Sequence, residues 1–138
     1  MKQFGSVAAI REASEEELLA VDGINAKHGA GTAIVVTHEH DDHRGGVVRF
    51  AKRHAIPVCI ARGAAQFLPP DFPAVLVRLI DPHTPFAIEA LEVDPFPVPH
   101  DSREPVQYAF SDGDARLGVA TDLGCITQHV VDKLTNCT

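Results

Sequence analysis

Ten residues constrain this chain more than any others: Thr37-His38-Glu39-His40-Asp41-Asp42-His43-Arg44-Gly45-Gly46. They follow Ala33-Ile34-Val35-Val36-Thr37, a short continuous apolar run of the kind a buried strand supplies. They precede Gly46 to Ala55, where Val47, Val48, Phe50 and Ala51 recur at helical spacing among Arg49, Lys52 and Arg53. Strand-to-helix loops are where α/β proteins place their chemistry. On an extended backbone His38 and His40 project to one side and can face one metal ion. Asp42 and His43 follow where the chain turns into the helix, so they can face a second, adjacent position. Imidazole with carboxylate suits zinc, with manganese or iron(II) as alternatives. With 8 His in 138 residues, chance supplies roughly 0.002 copies of H-x-H-x-D-H, so the pattern and its context together point to a metal site.

The remaining sequence reads as mixed α/β, with parallel βαβ steps followed by antiparallel hairpins. Pro57 to Ile60 is a second buried strand, and Gly63 to Leu68 a brief helix stopped by Pro69-Pro70. Val75 to Ile80, Phe86 to Val93, Phe96 to Val98, Val106 to Phe110 and Leu117 to Thr121 are predicted strands. Their separators are turn-formers: Asp81-Pro82, the prolines 95, 97 and 99, and Ser111-Asp112-Gly113-Asp114. Thr127 caps a predicted terminal helix over Thr127 to Leu134. Before residue 32 the pattern differs. Ser14-Glu15-Glu16-Glu17 forms a capping box, and residues 4–22 read as two short helices ended by Asp22-Gly23. The predicted division is a helical segment over 1–31 and the main domain over 32–138.

Charge and cysteine content exclude several classes. A net charge of −7 excludes a broad basic nucleic-acid surface, though not a local patch. No apolar run approaches membrane-spanning length, and the N-terminus lacks the apolar core of a signal peptide. Cys59, Cys125 and Cys137 form neither a disulfide framework nor a CxxC site, which predicts a reduced, cytoplasmic protein. Cys59 and Cys125 sit in apolar settings and are expected to be buried. His54 is explained by the end of its helix, His83 by a surface turn, and His28 by a glycine-rich junction.

The segment THEHDDHRGG resembles the signature loop of the metallo-β-lactamase fold superfamily of metallohydrolases, over roughly residues 32–138. Pro97-Val98-Pro99-His100-Asp101 resembles the third histidine motif of that family. Gly118-Val119-Ala120-Thr121-Asp122-Leu123-Gly124 resembles its strand ending in a metal-bridging aspartate. The resemblance implies a partial αββα sandwich with mixed sheets and flanking helices. It implies a first metal on His38, His40 and His100, a second on Asp42 and His43, and Asp122 bridging both. Two divalent ions, zinc first, would then act through a metal-bound hydroxide, with Asp42 also orienting it. Arg103-Glu104-Pro105-Val106 is similar to the exonuclease-like branch near ribonuclease Z, although that branch usually has a glycine where this chain has Gln107. The implied substrate is a phosphodiester, in DNA, RNA or another ester. The implied domain is partial: the opening strands of the family have no match in residues 1–31, and no later histidine matches its last ligand, His129 falling in the predicted terminal helix.

Residues 1–28 also resemble the start of the helix–hairpin–helix found at the C-terminal end of the nucleotide-excision-repair nuclease, which would bind DNA backbone. The alternative is a helical pair preceding the first strand. Two functional readings follow. One is a metal-dependent phosphodiesterase or nuclease. The other is a non-catalytic fragment or DNA-binding adaptor, with uncovered sheet edges inviting association between copies.

Overall fold

The computed structural model describes residues 33–137. The expected helices before residue 32, the capping box at Ser14 and the helix–hairpin–helix resemblance all lie outside these residues. The elements run β1 (Ile34–Val35), α1 (Asp41–Arg44), α2 (Val47–His54), β2 (Val58–Ala61), β3 (Val77–Ile80), β4 (Phe86–Ile88), β5 (Leu91–Pro97), β6 (Val106–Ser111), β7 (Arg116–Val119) and α3 (Gln128–Leu134). Two 3-10 turns, Ala64–Phe67 and Ala74–Leu76, lie between β2 and β3. Strands β1, β2 and β3 form a parallel sheet in that order, and β4 to β7 form an antiparallel meander.

Side-chain alternation along the strands produces the layers. Val36, Val58 and Ile60 face α2, where they bury Val47 and Ala51. Val35 and Ile80 face the second sheet and pack on Val93, Val106, Tyr108, Phe110 and Val119. On the far side of that sheet Phe96, Val98 and Ala109 pack on Val130 of α3. The order helix, sheet, sheet, helix is the αββα sandwich. Its apolar interior is the dominant source of stability, at about 25 cal/mol per Å² buried. Among the described residues, no helix is long and apolar enough to cross a membrane.

Several boundaries differ from the sequence reading, each for a local reason. The run Phe86 to Val93 is two strands, because Glu89 adopts a left-handed conformation (φ 54°) and folds β4 back onto β5. Pro95 and Pro97 do not separate strands but lie inside β5. Pairing with β4 stops at Val93, so beyond that point β5 is bonded on one side only and a missing N–H is tolerated. Val75 belongs to a 3-10 turn and is exposed, and the strand begins at Val77. Cys125 is exposed rather than buried, whereas Cys59 is buried as expected. The Ser111–Asp114 turn is the expected hairpin, held by Asp112 Oδ1, which accepts from the N–H groups of Asp114 and Ala115. Thr127 caps α3 through its Oγ1, which accepts from the Val130 N–H at 3.2 Å.

The two sheets are also bonded to each other at one end. The Tyr108 hydroxyl donates to the Val36 carbonyl at 2.6 Å, and the Val106 N–H donates to the Thr37 carbonyl at 3.0 Å. These bonds fix the exit of β1 against β6. That exit carries the histidine-rich loop.

Candidate metal centre

Three chain segments converge at this end of the sandwich. The first leaves β1 and supplies His38 and His40, then turns into α1 with Asp42 and His43. The second follows β5 and supplies His100. The third follows β7 and supplies Asp122. The last two segments are tied together where the Gly124 N–H donates to the Pro99 carbonyl. A Cβ at Gly124 would lie 2.9 Å from that carbonyl oxygen, so the approach needs glycine. The loop after β1 is tied to the second segment by Glu39 Oε1, which accepts from the Arg103 N–H at 2.9 Å.

The imidazoles form a tight group. The His38 ring lies 4.7 Å from that of His40, 4.3 Å from His43 and 4.6 Å from His100, centroid to centroid. His100 Nε2 and His40 Nδ1 are 3.3 Å apart. Asp122 Oδ2 lies 2.7 Å from His43 Nε2, 3.5 Å from His38 Nε2 and 3.8 Å from His100 Nε2. A single carboxylate oxygen thus approaches three rings. Among the described residues, two groups have ligand atoms mutually within 4.8 Å: His38, His40 and His100, and His38, His43 and Asp122.

His38 is the pivot of both groups and is fully buried. Its Nδ1 meets Thr37 Oγ1 at 3.0 Å, and its Nε2 is buried without a hydrogen-bond partner. An unsatisfied buried polar nitrogen costs roughly 1–3 kcal/mol. Burial, followed by the neighbouring histidines His43, His100 and His40, pushes the His38 pKa down to about 4, against the opposing pull of Asp122. The ring is therefore neutral at pH 7. If Nδ1–H donates to Thr37, a lone pair is left on Nε2, which is the form a divalent cation takes up. Crowded imidazoles, a carboxylate and an orphaned ring nitrogen fit a bound divalent ion.

Five of the six residues expected from sequence, His38, His40, His43, His100 and Asp122, come together here. Asp42 departs from expectation. Its Oδ2 is 3.3 Å from His43 Nε2, but its side chain is 78% exposed and belongs to neither group. As the second residue of a four-residue helix, it is turned outward to the rim. His129 lies exposed on α3, outside both groups. Asp101 is exposed as a turn acid. Arg44 pairs with Asp41 and lies over the Phe67 ring at 5.0 Å.

One contributor was not legible as such in the sequence. Gln107 is buried, and its amide grips Thr121, the residue before Asp122. Gln107 Nε2 donates to Thr121 Oγ1 at 3.1 Å, and Gln107 Oε1 accepts from the Thr121 N–H at 3.2 Å. The signal was the glutamine at a position where the resembling branch has glycine.

The pattern of the beta-lactamase superfamily domain matches residues 15–138 of this chain. The chain belongs to that superfamily. An exodeoxyribonuclease, YycJ of Bacillus anthracis, is 29% identical over 102 residues, covering 72% of this chain and 39% of that protein. Igni18, a metallo hydrolase from the archaeon Ignicoccus hospitalis, shares the fold with a TM-score of 0.58 and 18% identity, over 70% of this chain and 44% of its own. The Rm3 metallo-β-lactamase does so with a TM-score of 0.54 and 17% identity, over 86% and 54%. This superfamily chain thus spans about two fifths of the exodeoxyribonuclease and about half of each structural relative.

Proposed function

We propose that this superfamily chain is a metal-dependent hydrolase of phosphodiesters, of the nuclease type. The observation that carries the reading is the buried Nε2 of His38, which makes no hydrogen bond inside a ring of three further imidazoles and Asp122. His38, His40 and His100 would hold a first ion. His43 and Asp122 would hold a second, with Asp42 at the rim beside His43. One His38 nitrogen cannot serve both groups fully, so the second ion is the weaker. When bound, divalent ions supply Lewis-acid polarisation of the scissile group and acidify water; zinc fits this donor set best, ahead of manganese and iron(II).

The remaining work falls to the chain itself. Thr37 fixes the His38 ring through Nδ1. Gln107, through Thr121, fixes the backbone that carries Asp122. Asp42, open to solvent beside His43, would orient an attacking water and accept its proton. The nuclease type is supported by the relative named as an exodeoxyribonuclease. A cytoplasmic setting belongs to the same reading and is compatible with the free thiols of Cys59, Cys125 and Cys137. Association between copies through the edge strands β3 or β7 also belongs to it.

The test is turnover of bis(p-nitrophenyl) phosphate and of an end-labelled oligonucleotide by zinc- and manganese-loaded protein. Turnover abolished by chelator, and reduced roughly 100-fold or more by Asp42→Ala, is expected. Metal-loaded protein that cleaves neither substrate overturns the reading. The exposed position of Asp42 favours one second reading, a domain that binds metal without turnover, and the same assay separates the two.

A further inference from the structure

The loop that brings His100 to the centre runs from Pro97, where β5 ends, to Val106, where β6 begins. Inside it, the Val98 N–H donates to the Pro105 carbonyl at 3.2 Å and closes the base, and the Ser102 N–H donates to the His100 carbonyl at 2.9 Å. Two glutamates then tie the loop to its neighbours. Glu104 Oε1, from the loop itself, accepts from the Gly63 N–H at 2.9 Å. Glu39 Oε1, from the segment after β1, accepts from the Arg103 N–H at 2.9 Å.

Glu39 stands between His38 and His40 in the chain, yet it belongs to neither ligand group. Its second oxygen, Oε2, is buried without a hydrogen-bond partner, and so is Ser102 Oγ, on the residue before Arg103. A buried carboxylate oxygen left unpaired counts against stability, so keeping the fold together is a poor explanation for this side chain. What its bond fixes is the distance between two ligands. Glu39 adjoins His40, and Arg103 lies three residues after His100. Play in the bond between them becomes play between the His40 and His100 rings, whose Nδ1 and Nε2 stand 3.3 Å apart.

We propose that Glu39 is a positioning residue, clamping the His100 loop to the His38–His40 segment and so setting the spacing of the three imidazoles of the first ligand group. The proposal rests on the metal-dependent reading for the ion, but not for turnover. Glu39 touches no ligand position itself and acts through His100.

The test is the zinc affinity of metal-free protein, by competition with a chelating indicator, with the visible spectrum of the cobalt-substituted protein as a second readout. Glu39→Ala is expected to weaken the tighter site about tenfold and to alter the spectrum. In a His100→Ala background the same substitution is expected to cost less than about twofold, because the residue it acts through is gone. The urea midpoint of metal-free Glu39→Ala is expected to stay close to that of wild type, since the lost bond is offset by removal of an unpaired buried oxygen. If Glu39→Ala does not fold, Glu39→Gln and Glu39→Asp carry the test. Glutamine keeps the reach and an accepting oxygen without the charge, and aspartate keeps the charge without the reach. Only aspartate is expected to weaken zinc. Equal affinity in wild type and Glu39→Ala, a loss that persists without His100, or a loss in Glu39→Gln rather than Glu39→Asp overturns the proposal. So does a wild type that takes up no zinc. Turnover of bis(p-nitrophenyl) phosphate reports the hydrolase reading alone. Zinc affinities that fall as expected without turnover sink the hydrolase and leave the clamp. Turnover with unchanged affinity in the Glu39 variants does the reverse.

Discussion

The sandwich holds two polar clusters, one between the second sheet and α3 and one at the end where β1 exits, and they are completed in different ways. Beside α3, Asp94 receives Arg116 Nη2 at 2.9 Å and Lys133 Nζ at 3.0 Å. Opposite charges meet, and Asp94 holds the Arg116 guanidinium pKa above its ordinary value. That cluster is completed by residues of the chain. Where β1 exits, four imidazoles crowd together with one carboxylate near three of them, and burial together with the neighbouring rings disfavours a charge on His38. This second cluster leaves a ring nitrogen without a partner. The first is a structural device. On the proposed function, the second is a receptor for a cation.

The largest expected effect comes from supplying or removing that cation. Zinc at about 1,000 times its dissociation constant would add about 4 kcal/mol to the stability of the wild type. His38→Ala should abolish that gain, because it removes the residue common to both ligand groups. Thermal melts with and without zinc check this; an unchanged zinc-dependent shift in His38→Ala would break the distinction between the clusters. Asp94→Asn comes next. It leaves Arg116 and Lys133 without their shared partner and should cost about 2 kcal/mol in urea unfolding. The loss should be the same with and without zinc, because Asp94 takes no part in the ligand groups.

The metal-free protein should also show a pH dependence set by His38. The unfolded ring takes its proton near 6.5, the folded ring only near 4. The unfolded state therefore binds more protons across this window, and stability present above pH 6.5 is lost as pH falls toward 4. Urea midpoints at pH 7, 5.5 and 4 measure it, and zinc-loaded protein should release metal over the same range. Midpoints that stay level in wild type, or fall equally in His38→Ala, would contradict the assignment. The smallest effect is expected at Gln107. Gln107→Leu keeps the volume but removes the bonds to Thr121, which loosens Asp122. Metal affinity should fall about tenfold, with a changed visible spectrum of the cobalt-substituted protein, while the cost of Asp94→Asn is unaffected.

How much of this was legible in the sequence differs between the clusters. The histidine loop was legible because its residues are consecutive and follow an apolar strand, so strand periodicity alone puts His38 and His40 together. His100 and Asp122 lie far along the chain, and only the family resemblance linked them to the loop. The outward turn of Asp42 was not legible, because it depends on how a four-residue helix sits between two loops. The Asp94 cluster was invisible from sequence. Asp94, Arg116 and Lys133 have no spacing in common and meet only when β5, β7 and α3 pack. Strand positions were legible from apolar runs, but the β4–β5 turn was not, since Ile88-Glu89-Ala90-Leu91 contains none of the residues that favour a left-handed turn. Prolines misled for the opposite reason: they signal a break, and here one side of β5 has no partner to lose.

Metal content per chain shows whether the histidine cluster takes up a cation. Protein purified without chelator, reloaded with zinc and passed through gel filtration is analysed for metal, beside His38→Ala. At least one tightly held ion per wild-type chain is expected, with a second that exchanges more readily and none retained by His38→Ala. A folded wild type that retains no zinc, or a His38→Ala variant that retains as much, would contradict it.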